Sequence, residues 1–210
     1  MKKRLTFAIV LLPLVVVGCG ATTITPGEPF QPSEQRFFDD GIDVVADINA
    51  LQGQFGFEAR EDMDARCNLA DVIAQVTIES VHSSTRGDGV AETLISVKIN
   101  QIIYGELSTG EFQLRSNANS LGYTLLKRHE SAINGEKLLF LRTFEMENET
   151  NERGLSGETP VKQTVGHHFH LSPNSSAVLG LVQKYIQKRK GAESGKTDES
   201  VEGNTGASAN

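Results

Sequence analysis

Apolar and polar residues alternate most clearly in the middle of the chain. Val72, Ala74, Val76 and Ile78 alternate with Ile73, Gln75, Thr77 and Glu79, the period-two signature of a half-buried strand. Arg86-Gly87-Asp88-Gly89 supplies turn chemistry, with glycines able to take positive φ. Residues 91–104 predict a second long strand, with Ile95, Val97 and Ile99 on one face and Ser96, Lys98 and Asn100 on the other. The apolar phase then slips to Ile102 and Tyr104, and a slip inside a long strand predicts a bulge or bend. Phe112 and Leu114 mark a shorter third strand after the Gly105 and Gly110 turn. Asn134-Gly135 is a turn before residues 137–144, where Leu138, Leu139, Phe140 and Leu141 run without alternation. That is how a strand buried on both faces reads. Residues 145–160 are polar and predict a long exposed loop, and residues 161–171 return to strand character.

A different period follows. Val178, Leu181, Val182, Tyr185 and Ile186 fall at i, i+3, i+4, i+7 and i+8, an amphipathic helix. Asn174, Ser175 and Ser176 are its candidate caps, and Lys184, Lys188, Arg189 and Lys190 load its negative end with cations. Residues 191–210 hold no large apolar residue except Val201 and are expected to be disordered. Before the strands the pattern is weaker. Residues 33–66 are expected to form a short helical or irregular lead-in. Phe37, Phe38, Ile42, Val44, Val45, Ile48 and Leu51 fit two short helices broken near Gly41, while residues 42–48 read equally well as strand; residues 52–56 read as a loop, and 58–64 as exposed charge with one helical turn. Four or five antiparallel strands with a carboxy-terminal helix, over residues 67–190, fit a closed or nearly closed barrel, which disposes of exposed edges.

The amino terminus has another logic. Lys2, Lys3 and Arg4 precede a nearly all-apolar run, residues 5–17. The run is too short for a bilayer span, which needs about 20 residues, and the build is that of a secretory signal peptide. Val16-Val17-Gly18-Cys19 resembles the lipobox of bacterial lipoproteins, with Val17 standing where Ala or Ser is more usual. The resemblance implies a signal peptide over residues 1–18 and a mature chain beginning at Cys19, S-diacylglycerylated and N-acylated with chains such as palmitate. Each buried methylene contributes about 0.8 kcal/mol, so two or three chains on one cysteine hold permanently. Gly20, where Asp would favour inner-membrane retention, implies the outer membrane in a diderm cell. Residues 19–32, with Pro26, Gly27, Pro29 and Pro32, would then be a lipidated start and a flexible tether.

Charge narrows the choice of partners. The chain of 210 residues suits one domain with tails. Its net charge of −7 becomes −10 without Lys2, Lys3 and Arg4. An acidic surface excludes the positive footprint that nucleic acid requires, and the membrane would be held through the Cys19 lipid alone. Once Cys19 is acylated, Cys67 has no partner in the chain, and burial as a small hydrophobe is its expected state.

The central segments carry a second resemblance. Ala70-Asp71-Val72-Ile73-Ala74-Gln75-Val76, the long strand ending Ile103-Tyr104-Gly105, and Asn134-Gly135-Glu136-Lys137-Leu138-Leu139-Phe140-Leu141 resemble small secreted bacterial domains similar to the tissue metalloproteinase inhibitor and netrin modules. The resemblance implies a mainly β fold, an OB-like antiparallel β-barrel with a C-terminal amphipathic helix. Gln75 stands where Gly is common, and Tyr104 where Lys is usual. The inhibitory free amino-terminal Cys-x-Cys has no counterpart, so protease inhibition does not carry over.

Candidate chemistry is sparse. In Gly166-His167-His168-Phe169-His170 a strand would put His168 and His170 on one face and His167 and Phe169 on the other. Two imidazoles at i, i+2 could share a metal such as Zn²⁺ if His82, His129 or a carboxylate supplied further ligands. The plainer alternative is a strand with partly exposed histidines. Asp39, Asp40, Asp43 and Asp47 lack the spacing of a calcium loop and read as solvated charge. No G-x-S-x-G, H-E-x-x-H or P-loop occurs, so no catalytic residue and no cofactor are expected. The expected role is binding a protein or small-molecule ligand, or assembly, at the cell-envelope surface. The alternative is a metal-binding envelope module built on residues 167–170.

Overall fold

A computed structural model describes residues 29–45, 51, 53–107, 110–146 and 164–199. The leader, Cys19 and most of the tether lie outside these residues, as do Asp47, residues 147–160 of the polar loop and residues 200–210. A short 3-10 helix, Pro32–Glu34, opens the described chain. Then come β1 (Gly41–Ile42), α1 (Gly53–Leu69), β2 (Val72–Thr85), β3 (Ala91–Tyr104), β4 (Glu111–Asn117), α2 (Tyr123–Arg128), α3 (Glu130–Ile133), β5 (Gly135–Met146), β6 (Thr164–Pro173) and α4 (Ser176–Glu199).

The strands form one six-stranded sheet in the order β1-β6-β5-β2-β3-β4. All neighbours are antiparallel except β1, which runs parallel to β6 with Gly41 opposite His170 and Ile42 opposite Leu171. The long β2–β3 ribbon shifts register between Ile73 and Ala74, Gln75 and Val76, and Ile78 and Ser80. The phase slip near Ile102 reflects one of these bulges, since Ala74 pairs Ile102 while Ile73 pairs Tyr104. The bulges bend and twist the ribbon.

The sheet buries both faces. On one, Ile73, Leu138 and Phe140 pack against Met63 and Cys67 of α1, Val178, Val182 and Ile186 of α4, and Phe37 and Phe38. On the other, Val72, Ala74, Val76, Ile95, Val97, Leu114, Leu139, Leu141, Phe169 and Leu171 gather around Leu126 and Ile133 from α2 and α3. The unbroken run from Leu138 to Leu141 therefore points alternately into two cores, and all four side chains are fully buried.

The closed antiparallel barrel expected from the sequence is not what forms. The sheet is mixed and open, with β1 and β4 at its edges. The physical reason lies at β6, whose outer edge would have to meet β4 to close the sheet. Gly41–Ile42 occupies that edge instead. Side chains still reach across the gap: the His167 ring on β6 lies 5.0 Å from that of Phe112 on β4 and makes a hydrogen bond with the Gln113 backbone.

Within residues 33–66, expected to be a lead-in, the described residues belong to the body. Phe37 and Phe38 are core residues, and α1 is a full 17-residue helix. Its buried stripe is Gly56, Met63, Arg66 and Cys67, small or polar for the most part, so the helical period lacks the Leu, Ile and Val that announce a core face. Helix α4 continues past Lys190 to Glu199, where a disordered tail was expected. No charge there forbids helix, and Ala192, Glu193 and Lys196 are good formers. Ser175 is its cap, accepting from the Val178 N–H at 3.2 Å.

Candidate functional site

The segment from Phe30 to Val45 lies as an arm across the end of β5 and β6 and is pinned there by charge. The first pin is near its start. Glu34 and Asp71 flank the buried guanidinium of Arg142. Arg142 donates from Nη1 to both Asp71 oxygens at 3.0 Å and from Nε to Glu34 Oε2 at 3.4 Å. Asp71 also accepts from the Thr143 N–H at 2.7 Å and hydroxyl at 2.9 Å, and Glu34 from the Gln31 N–H at 2.9 Å. Each buried charge is thus paired and further hydrogen-bonded, as burial requires.

The second pin joins three aspartates of the arm to two histidines of β6. His168 Nδ1 donates to Asp40 Oδ2 at 3.0 Å, and His170 Nδ1 to Asp39 Oδ1 at 2.8 Å. A carboxylate only accepts, so Nδ1 carries the proton in both rings. The far nitrogen of His170 lies 3.1 Å from Asp43 Oδ1 but out of line for a hydrogen bond, a charge contact without good directionality. Asp43 accepts in addition from Arg66 Nη1 at 2.8 Å and the Ser172 hydroxyl at 2.7 Å. Arg66 spends its Nε on the Phe37 carbonyl at 3.1 Å. Asp40 sits in the left-handed region at φ 56, which Asp tolerates. There its carboxylate accepts from the Phe169 N–H at 3.1 Å and the Ser120 hydroxyl at 2.9 Å. Gly41 and Gly122 let the arm cross the start of α2: a Cβ on Gly122 would stand 2.5 Å from Gly41 Cα.

These contacts set the protonation states. Burial, and then Arg66, push the His170 imidazolium toward losing its proton, but the charge of Asp43 and the hydrogen bond to Asp39 outweigh them and raise it above its ordinary 6.5. For Asp43 burial favours the neutral acid, yet His170, Arg66 and Ser172 overcome it and hold the carboxyl far below the usual range. His167, on the opposite face, is lowered chiefly by burial. Burial, reinforced by Asp64, pushes the Cys67 thiol up to about 12 against the pull of Arg66 and Arg189. A fully buried thiol held protonated is an inert one.

His168 and His170 do share a face, as their spacing predicted, but each ring spends a nitrogen on its own aspartate. Among the described residues no group of three or more His, Cys, Asp or Glu is placed to hold a metal ion. His82 lies on β2 opposite Leu94 and His129 joins α2 to α3. Asp39, Asp40 and Asp43, read as solvated charge, are instead the partners of the histidines, and Asp40 is 4% exposed. Their only hint in the sequence is that they interleave with Phe38, Gly41 and Ile42, an apolar company unusual for a solvated run.

Beside this cluster opens a pocket of about 210 Å³, bounded by Val45, Leu51, Phe55 and Ala59 as apolar walls and by Asp43, Glu58, Asp62 and Arg66. The ion pair of buried Arg66 with half-buried Asp43 stiffens its inner wall, while Phe55 at its mouth is 76% exposed. Sequence reading missed this site because residues 52–56 carried turn signals and the helix that presents Phe55 was not foreseen. No protein-family model, curated protein or solved structure matches the chain.

Proposed function

We propose that this chain is a lipid-anchored protein of the bacterial cell envelope, whose folded body binds a ligand or partner through the pocket between α1 and the arm. The anchoring half rests on Val16-Val17-Gly18-Cys19 behind an apolar run. Nine residues lie between Cys19 and Pro29, and their ten Cα steps reach roughly 35 Å at full extension, so the body would work close to the bilayer. Among the described residues no helix is long and apolar enough to cross a membrane. Gly20 favours the outer membrane in a diderm cell.

The binding half is carried by one observation: a large aromatic, Phe55, left 76% exposed at the mouth of an apolar-walled pocket. Concave sites that combine apolar walls with placed polar groups are where ligands bind, and here Asp43, Glu58, Asp62 and Arg66 supply the polar half of a small one. The Asp and His side chains next to it hold the arm in place, which favours binding over catalysis. The connectivity supports a distant likeness to OB-type modules. A three-stranded meander (β2, β3, β4) leads through helices to β5, which returns beside β2, and β6 follows beside β5; the OB fold is itself a partly open barrel.

Membrane fractionation of the parent and Cys19→Ala, with mass spectrometry of the mature amino terminus, tests the anchor. The parent should sediment with membranes and begin at an acylated Cys19, and Cys19→Ala should be unprocessed or soluble. Identical fractionation of the two, or an unmodified terminus elsewhere, overturns it. Crosslinking from membranes tests the binding role: the adduct formed by the parent should be lost in Phe55→Ser, and adducts unchanged by that variant count against the pocket.

A further inference from the structure

Resting on that pocket reading, we infer that the occupant is a basic–apolar peptide segment, an arginine or lysine flanked by an aliphatic residue. Helix α1 turns one face to the pocket: Phe55, Glu58, Ala59, Asp62 and Arg66 fall at i, i+3, i+4, i+7 and i+11. The apolar body of a ligand would lie on Phe55 and Ala59, closed in by Val45 and Leu51. Its charge is chosen by the carboxylates. Three line the pocket against one guanidinium, but the three differ in availability. Asp43 is consumed by Arg66, Ser172 and His170. Glu58 holds the neutral Gln54 amide, at 2.7 Å. Asp62 faces Arg36 across a loose, exposed 3.9 Å gap. Glu58 and Asp62, one turn apart, therefore present charge that an incoming cation can take up.

An anionic occupant fits poorly. The one cation of the lining, Arg66, is 6% exposed and already donates to Asp43 and to the Phe37 carbonyl. An anionic lipid surface would meet Glu58 and Asp62 first, on a chain whose net charge is already −7. The apolar walls also disfavour a bare inorganic cation, which keeps its water. A guanidinium on an aliphatic stem satisfies both halves, because such side chains lay their methylenes on apolar surface and keep the charged head among carboxylates.

The test is calorimetric titration of the full-length protein, as isolated, with two probes: acetyl-Leu-Arg-Leu-amide and the same peptide with neutral citrulline in place of arginine. The arginine peptide should bind more tightly by about three- to tenfold, as two partly exposed ion pairs allow, and added salt should narrow the gap. Glu58→Gln with Asp62→Asn should bring the arginine peptide down to the citrulline level and leave the citrulline peptide unchanged. Phe55→Ser should weaken both. Equal binding of the two peptides, with Phe55→Ser weakening both, overturns the cationic specificity while the pocket stands. Absence of binding by either peptide, or binding indifferent to Phe55→Ser, overturns the pocket reading as well.

Discussion

Replacing His170 by Gln removes a cation held between two carboxylates, and it should cost stability in a way that depends on pH. In the native chain the imidazole contacts Asp39 at 2.8 Å and Asp43 at 3.1 Å and is 3% exposed. Breaking a buried pair by removing one partner costs about 3–5 kcal/mol. The lower end, about 3 kcal/mol, is expected here, because Asp43 keeps Arg66 and Ser172, and Asp39 keeps the Gly41 N–H. A domain typically has about 5–15 kcal/mol to lose, so the variant should still fold. The pH dependence follows from the raised value of His170. Its contribution is complete below 6.5, where folded and unfolded chains both hold the proton. Above 6.5 the unfolded chain releases the proton first, and stability falls with a slope of at most about 1.4 kcal/mol per pH unit until the folded value is passed. His167 acts in the opposite sense, since burial lowers it. Its contribution is complete above 6.5 and is lost as pH falls through its folded value. The two windows meet near 6.5, so these groups together place a stability maximum there. Urea unfolding followed by far-ultraviolet circular dichroism, from about pH 5.5 to 8.5, reads both limbs. His170→Gln should flatten the alkaline limb and leave the acid one, and His167→Gln should do the reverse. Parallel parent and His170→Gln curves above 6.5 would refute the charge arrangement derived for the arm.

Two further perturbations probe the packing. Gly122→Ala would place a methyl 2.5 Å from Gly41 Cα and 2.7 Å from the Asp39 carbonyl oxygen. These are backbone atoms that cannot swing aside, so urea unfolding should show a loss of about 1–3 kcal/mol or more. Gly180→Ala, in α4 with nothing within 4 Å of the new methyl, should instead be neutral or stabilising by up to about 1 kcal/mol. In a Cys19→Ala background Cys67 is the sole thiol. It should resist Ellman's reagent in the folded protein and react at once in urea, and rapid labelling of the native chain would contradict its burial.

Amino-acid order by itself determined the antiparallel strands β2 to β6, though not β1. Period-two alternation places Val72, Ala74, Val76 and Ile78 in one core, and the unbroken run from Leu138 to Leu141 demanded two. Both are local properties of side chains on a pleated backbone. The spacing of His168 and His170 likewise placed them on one face. Which residues would meet them depended on contacts across about 130 positions, and nothing local in Asp39, Asp40 or Asp43 distinguishes a buried ion pair from solvated charge. Helix α1 escaped notice because its inward stripe is small and polar and its bulkiest residues, Phe55 and Phe57, face outward. Closure of the sheet was likewise a tertiary decision. Two residues, Gly41 and Ile42, take the free edge of β6, and an edge has hydrogen bonds to give only once.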